Sequence, residues 1–170
     1  MQGDTLLTVV AIVLAAGLIF VVPLMTMADR VDTTSQSQVE AIVSDFVDDI
    51  RSTGQITQAK YEKFNENLTS LGYTFDVSME AKIKDENPGK KTTQTAKSKI
   101  GENVYYSEYT SQIEEELEKN GIKNLKTGDI VSVTVKNKNL TLAQQMKKFM
   151  YKIVGNDSAD VIASKAGMVQ

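Results

Sequence analysis

The N-terminal part of the chain is dominated by one apolar stretch, Thr5 to Ala28, which contains no charged side chain. As a helix with a rise of about 1.5 Å per residue it would be roughly 36 Å long, enough to cross a hydrocarbon core about 30 Å thick. Its apolar residues cover every face rather than one stripe, which suits lipid surroundings. The pattern predicts a transmembrane anchor over residues 1–30, and Pro23 is compatible with it because membrane helices tolerate proline.

A cleaved secretory signal is the alternative interpretation of this stretch. Signal peptides have a basic leading region, an apolar run of about 7–15 residues and a cleavage site of small residues. Residues 1–4 contain neither Lys nor Arg, and the apolar run is longer than a signal requires. The sequence therefore favours a retained anchor. Arg30 is the only basic residue close to the span, so charge does not set the orientation in the membrane.

In residues 31–54 the apolar positions recur with the period of an α-helix instead of covering every face. One stripe recurs at helical spacing: Val39, Ile42, Val43, Phe46, Val47 and Ile50. We predict an amphipathic helix from about Ser37 to Thr53 that ends at Gly54 and joins the anchor to a head, residues 55–170. The favoured interpretation packs this stripe on the core of the head. The alternative assigns part of it to an interface with a neighbouring subunit: Val39, Val43, Phe46 and Ile50.

The first half of the head is predicted to contain a helix followed by a strand. Thr57 is a good N-cap, and an apolar face that continues to Leu71 predicts a short helix that Gly72 ends. Apolar and polar residues then alternate over residues 73–84, which is typical of a strand with one buried face.

The second half of the head is predicted to contain two further helices and two further strands. After an exposed loop over residues 85–99, a helix is indicated by Tyr106, Tyr109, Ile113 and Leu117. A strand is predicted over Ile130–Lys136, with Val131, Val133 and Val135 inward. Thr141 would cap another helix, and residues 160–169 are apolar enough for a last strand. The fold class is therefore α+β, with about three strands and three helices in the head.

Composition narrows the chemistry of the chain. Its 170 residues include no His and no Cys, and 19 basic against 22 acidic residues give a net charge of −3. Without His the chain lacks the commonest general base and metal ligand, and without Cys it lacks disulfides and thiolate ligands. The charge balance gives no indication of nucleic-acid binding. We expect no enzyme and no cofactor. Two open alternatives are a carboxylate hydrolase using Asp76 and Glu80, and a calcium loop around residues 156–160, where a capped turn is favoured.

Several stretches, which together touch most of the chain, share the layout of a membrane helix, an amphipathic helix and a small α+β head. They are MQGDTLLTVVAIVLAAGLIFVVPLMTMADR, FVDDIRSTGQITQAKYEKF, LGYTFDV, DENPGKK, GENVYYSEYTSQI and the tail from Ser164 to Val169. In these the chain resembles type IV pilin-like proteins, more narrowly the small pilin-like proteins (pseudopilins) of tight-adherence (Tad) pilus systems in clostridia and their relatives.

The resemblance implies a non-enzymatic subunit that is inserted once in the bacterial cell membrane, with its head outside the cytoplasm. Such a subunit assembles into or primes a surface filament. Its partners would be the lipid bilayer, other copies of itself and the pilus assembly machinery. A membrane-tethered binding or adaptor module for another envelope complex is the alternative, motivated by Arg30 and by the missing basic leader.

The resemblance also directs attention to the N-terminus. Prepilins are cut after a short basic leader that ends in Gly, and the mature helix carries a Glu at its fifth position. Gly3 would be the last leader residue and Asp4 the first mature one, but Met1-Gln2 is not basic and Thr8 stands where Glu is expected. If the chain is not cut, Asp4 would supply the carboxylate.

Small residues in the anchor would allow neighbouring helices to approach closely. They are Ala11, Ala15, Ala16 and Gly17. The ordinary interpretation of such residues is that they face lipid and pack against nothing else.

Overall fold

The computed structural model describes residues 2–85, 105–138 and 162–170, together with the single position Gln145. The predicted helix that begins at Thr141, most of the predicted loop over residues 85–99 and the calcium alternative at residues 156–160 lie outside these ranges. Within them the fold is α+β, as the sequence predicts: a long N-terminal helix is followed by a small head with antiparallel sheets.

The long helix, α1, extends over Gln2–Thr53 without interruption. The predicted anchor and the predicted amphipathic helix are therefore one 52-residue element. The polar joint at residues 33–38 does not break it, since this joint contains neither Gly nor Pro. The helix ends at Gly54, as predicted. Its φ of +65° favours glycine, and its N–H donates to Ile50 O at 2.8 Å.

The head contains two antiparallel sheets and two further helices within the described residues. The small sheet pairs β1 (Gln55–Thr57) with β4 (Ile122–Asn124). The large sheet has the order β3-β2-β5-β6, and its strands are β2 (Phe75–Lys84), β3 (Tyr105–Tyr109), β5 (Ile130–Asn137) and β6 (Ile162–Met168). The helices are α2 (Gln58–Ser70) and α3 (Thr110–Asn120). Thr57 caps α2 as predicted, because its hydroxyl accepts from Lys60 N at 3.3 Å.

The predicted helix from Tyr106 is partly wrong. Residues 105–109 form β3, which pairs with β2 so that Tyr106 lies opposite Ile83, and the helix begins at Thr110. Thr110 Oγ1 accepts from Met79 N at 2.7 Å, so the helix start is fixed by a strand distant in sequence. The short strands β1 and β4 were also not predicted, because three residues are too few to show a period. The described residues thus contain six strands rather than about three.

The core of the head lies between the large sheet and the inner stripe of α1. Val131, Val133 and Val135 of β5 point into it as predicted, and Phe46 of α1 stacks on Phe64 of α2 with ring centroids 4.3 Å apart. The four residues considered for a subunit interface are no more than 6% exposed: Val39, Val43, Phe46 and Ile50. This burial within their own head supports the favoured interpretation, and the interface with a neighbouring subunit stays a prediction.

Candidate functional site

The feature that sets this chain apart is the exposed apolar part of α1, which we call the shaft, Asp4–Met27. Its mean hydropathy is 2.9, and none of it is buried against the rest of the molecule. Leu7 and Phe20 are 69% and 71% exposed. Water disfavours such a surface by about 25 cal/mol for each Å² of apolar area, so an apolar environment must cover it. Its length and composition suit a membrane anchor or a signal sequence.

Two threonine hydroxyls of the shaft are bonded to the backbone of the helix itself. Thr8 Oγ1 donates to Asp4 O at 2.7 Å, and Thr26 Oγ1 donates to Val22 O at 3.0 Å. Each hydroxyl thus uses a carbonyl one turn earlier as its acceptor. A hydroxyl bonded in this way needs no water, so these threonines are compatible with a lipid environment.

The predicted processing and packing residues all lie on this helix. Gly3 and Asp4 are in the first turn of α1, where the helix dipole favours a carboxylate. Within the part of the chain that the structure describes, the small residues are not buried against any other element: Ala11, Ala15, Ala16 and Gly17. A Cβ added at Gly17 would meet no atom within 4 Å. Processing at Gly3 and helix packing through the small residues therefore remain predictions.

The other end of α1 is fixed to the edge strand β6 by hydrogen bonds at both ends of that strand. Gln36 Nε2 donates to Ile162 O at 2.9 Å, and Arg51 Nε donates to Met168 O at 3.2 Å. Gln36 and Arg51 are fifteen helical residues apart, about 22 Å, and the two carbonyls are six strand residues apart, about 20 Å. The matching lengths mean that α1 and β6 run side by side in the same direction.

A third attachment lies between these two. Lys165 Nζ donates to Asp48 Oδ2 at 2.5 Å and to Ser44 Oγ at 3.2 Å, both on α1. The hydrogen bond from Lys165 lowers the pKa of the Asp48 carboxyl. Three points therefore hold the C-terminal part of α1 along the whole of β6, and the shaft continues from it as part of the same helix.

The structure does not bring the two carboxylates of the hydrolase alternative together. Asp76 and Glu80 are four residues apart on an extended strand, about 13 Å. Asp76 pairs with Lys138 at 3.4 Å, and Glu80 accepts from Ser107 Oγ at 2.7 Å. Over the described ranges, no group of three or more Asp or Glu side chains is placed to hold a metal ion.

The one deeply buried ammonium among the described residues belongs to Lys123 on β4, whose side chain is 3% exposed. It donates to Glu108 on β3 and, at 2.7 Å, to Glu116 on α3. Burial opposes the charged form, but the two carboxylates outweigh it and raise the pKa of Lys123. This ion cluster joins three elements of the head, which indicates a structural role.

Replacing Lys123 with alanine is expected to destabilise the head by about 1–3 kcal/mol, because it leaves Glu108 and Glu116 close together without the cation that they share. The matched control is Lys119→Ala, which removes an exposed lysine paired with Glu115 at 2.5 Å and should leave stability unchanged. Urea unfolding of the full chain in detergent micelles, followed by near-UV circular dichroism, measures both. Equal midpoints for the two variants would contradict the structural role.

Tyr61 provides a second test, in alkaline solution. Its Oη donates to Glu114 Oε1 at 2.5 Å between α2 and α3, and burial together with this carboxylate raises the pKa of Tyr61 from 10.0 to about 12. The unfolded chain therefore loses this proton first, so stability should fall as the pH rises above 10.0 and through about 12. Lys123, whose pKa is also raised, contributes in the same direction.

Tyr61→Phe should therefore flatten this alkaline loss of stability without removing it. The control is Tyr109→Phe, at a tyrosine that is 59% exposed. Urea midpoints recorded from neutral to strongly alkaline pH give the slope for each variant. The same slope for Tyr61→Phe and the unchanged chain would show that the hydrogen bond to Glu114 does not matter.

Sequence reasoning missed the residues that attach the C-terminal part of α1 to β6: Gln36, Arg51 and Lys165. Their partners lie more than a hundred residues away in sequence, and no local pattern could pair them.

Comparison of the chain with protein-family models, with curated proteins and with solved structures gives no match.

Proposed function

We propose that this chain is a non-enzymatic, single-pass membrane subunit of the type IV pilin-like kind, which assembles into or primes a surface filament. The observation that carries the proposal is the double role of α1. The helix is apolar and exposed over Asp4–Met27, and the same helix supplies the core of the head from Val39 to Ile50. The part of the chain that needs an apolar environment is thus rigidly connected to the folded head.

This geometry suits a subunit that moves from a bilayer into a filament. In the membrane, lipid covers the shaft, and outside it only other apolar surfaces can do so. Shafts packed side by side would bury one another, and every head would then point the same way because α1 fixes its direction. Ala11 and Ala15, which lie four residues apart on one face, would permit close packing.

Continuity of α1 also supports a retained anchor over a removed signal. A cleavage after Ala28 would fall inside a single helix that continues for a further 25 residues to Thr53. Under the proposal, the head is extracytoplasmic and the protein belongs to the bacterial cell membrane. Mass spectrometry of the mature N-terminus tests this directly: an intact Met1 or a start at Asp4 supports the proposal, and loss of residues 1–28 overturns it.

The filament itself is tested by shearing cells that express the full chain. We expect the protein in the sheared fraction and its head accessible to protease on intact cells. Ala11→Leu with Ala15→Leu adds bulk to the small face without reducing hydrophobicity, so it should keep membrane insertion and lose the sheared fraction. The control, Val9→Leu with Val13→Leu, makes the same kind of change on a different face and should retain both.

The adaptor alternative predicts a different result in the same experiment. It requires that the protein stays in the membrane fraction, that it does not associate with itself and that it co-purifies in a fixed ratio with another envelope protein. That outcome, with equal behaviour of the two leucine double variants, would replace the filament proposal.

A further inference from the structure

The exposed large apolar side chains of the head lie on the two edge strands of the large sheet. Among the described head residues they are Tyr105, Tyr106 and Tyr109 on β3, and Ile162 and Met168 on β6, each at least 37% exposed. The inner strands β2 and β5 carry none. Both edges are thus apolar enough to form contacts, and they lie on opposite sides of the head.

The hydrogen bonds around β6 reveal which of its backbone groups point outward. Val169 N donates to Asp129 O at 2.8 Å, so odd-numbered residues face β5. The carbonyls of Ile162 and Met168 accept from α1 instead, so even-numbered residues face away from the sheet. Between these two attached ends, the N–H and C=O of Ser164 and Ala166 point outward, and both residues are exposed. We call these backbone groups the outward window of β6.

The same reasoning applies to β3. Lys84 N donates to Asp129 Oδ1 at 2.8 Å, so Lys84 turns its backbone away from β3 and its register partner Tyr105 turns outward. Ser107 and Tyr109 alternate with Tyr105 and also face outward. The N–H of Tyr109 donates to Gln112 Oε1 at 2.9 Å. Among the described residues no group bonds the outward N–H and C=O of Tyr105 and Ser107, and we call these groups the outward window of β3.

We propose that neighbouring copies of this chain join their sheets at these two edges, with β3 of one copy pairing antiparallel with β6 of the next. The proposal rests on the self-assembly proposed above and names a second contact for it, outside the shaft. In the register that uses both outward windows, Ser107 faces Ser164 of the next copy, and Tyr105 faces Ala166 of the next copy.

Strand direction favours this pairing. The four strands alternate in direction across the sheet, so β3 and β6 run opposite ways. A copy displaced sideways therefore continues the antiparallel pattern without rotation. The register also places Tyr109, which is 59% exposed, opposite Ile162, which is 47% exposed. An aromatic side chain opposite a β-branched one is a favourable cross-strand pair, and both lie on the face away from α1.

The shaft excludes the simplest competing arrangement, a two-fold pairing of β3 with β3. The two-fold axis of such a pair is perpendicular to the sheet. The helix α1 runs alongside β6, so it is roughly parallel to the strands and perpendicular to that axis. A two-fold rotation would therefore point the two shafts in opposite directions, and one membrane could not hold both. Sideways displacement keeps all shafts parallel, and a contact between two different edges extends into an open row.

Disulfide trapping tests the register, because the chain has no cysteine of its own. Ser107→Cys and Ser164→Cys are introduced together in the full chain, and cell membranes or sheared filaments are oxidised. Within one head, β2 and β5 separate these positions by three strand spacings, about 14 Å, beyond the roughly 7 Å that a disulfide can bridge. Every disulfide must therefore join two copies, and we expect a ladder of dimers, trimers and longer species.

The controls separate the possible outcomes. Ser107→Cys with Ser78→Cys, which lies in the inner strand β2, should give at least about tenfold less cross-linking, because an inner strand cannot reach a neighbouring edge. Strong dimers from Ser107→Cys alone would indicate the two-fold arrangement and overturn the proposal. Filaments without the Ser107–Ser164 ladder would overturn this inference alone, whereas a chain that forms no filament would overturn the proposed function as well.

A charge exchange gives a second measurement that does not depend on cysteine chemistry. Tyr109→Lys and Ile162→Glu each place a charge in the apolar pair and should reduce the sheared fraction several-fold. The double variant sets Lys opposite Glu and should restore the amount of protein in the sheared fraction. If each substitution only damaged its own strand, the two losses would add and the double variant would show no recovery. Loss without recovery would contradict the pairing.

Discussion

Replacing Val43 with aspartate is expected to unfold the head while the shaft stays helical. Val43 is 1% exposed and lies on the stripe of α1 that packs on the sheet. A lone carboxylate in this core has no partner, and burying it costs several kcal/mol, a large share of the about 5–15 kcal/mol that stabilises a typical domain. Limited proteolysis of the full chain in micelles should show a head that is digested at once.

The control for this result is Ala41→Asp, two residues earlier on the same helix. Ala41 is exposed, so the same new charge lies in water and should leave the head resistant to protease. A Val43→Asp chain with a resistant head that no longer assembles would show that the stripe contacts neighbouring subunits after all. The pair of variants therefore distinguishes a core role of the stripe from an interface role.

The parts of the fold that could be predicted are those with a strong local period. The stripe of α1 from Val39 to Ile50 and the alternation along β2 each repeat several times, so chance matches are rare. Gly54 marks the end of α1 because it adopts a positive φ, and Thr57 marks the start of α2 because its hydroxyl accepts a backbone hydrogen bond. These signals do not depend on the rest of the chain.

The boundary between β3 and α3 could not be predicted, because a helix and a strand both fit its residues. Tyr106 and Tyr109 are three residues apart, which suits one face of a helix. The strand forms because β2 offers its free edge to residues 105–109, and that partner lies more than twenty residues earlier. Tertiary pairing thus overrides a weak local period.

The same limit applies to the candidate sites. The small residues of the shaft between Ala11 and Gly17 can be recognised in the sequence, and they are enough to predict close packing between neighbouring shafts. The outward windows at Ser107 and Ser164 depend on which residues of each strand face a neighbour, and that is decided by the register of the whole sheet. The proposed contact between sheet edges therefore depends on this register, for which the sequence gives no signal.

Introducing two arginines in the middle of the shaft is expected to remove the protein from the membrane. Leu14 and Leu18 are both 62% exposed and lie on one face of α1. An arginine at the centre of a spanning helix costs about 2.5–3.5 kcal/mol on insertion scales, so Leu14→Arg with Leu18→Arg should cost roughly twice that. Because neither side chain contacts the head, the head itself should keep its fold and its resistance to protease.

The matched control places the same two charges at the same spacing on the same helix, beyond the apolar part. Ser37→Arg with Ala41→Arg changes two exposed positions and should leave membrane binding intact. Alkaline extraction of membranes separates inserted from attached protein and measures both variants. If the shaft variant resists extraction as well as the control does, the apolar segment is not the anchor. The head must then reach the membrane in another way, and parallel shafts can no longer orient the row of heads.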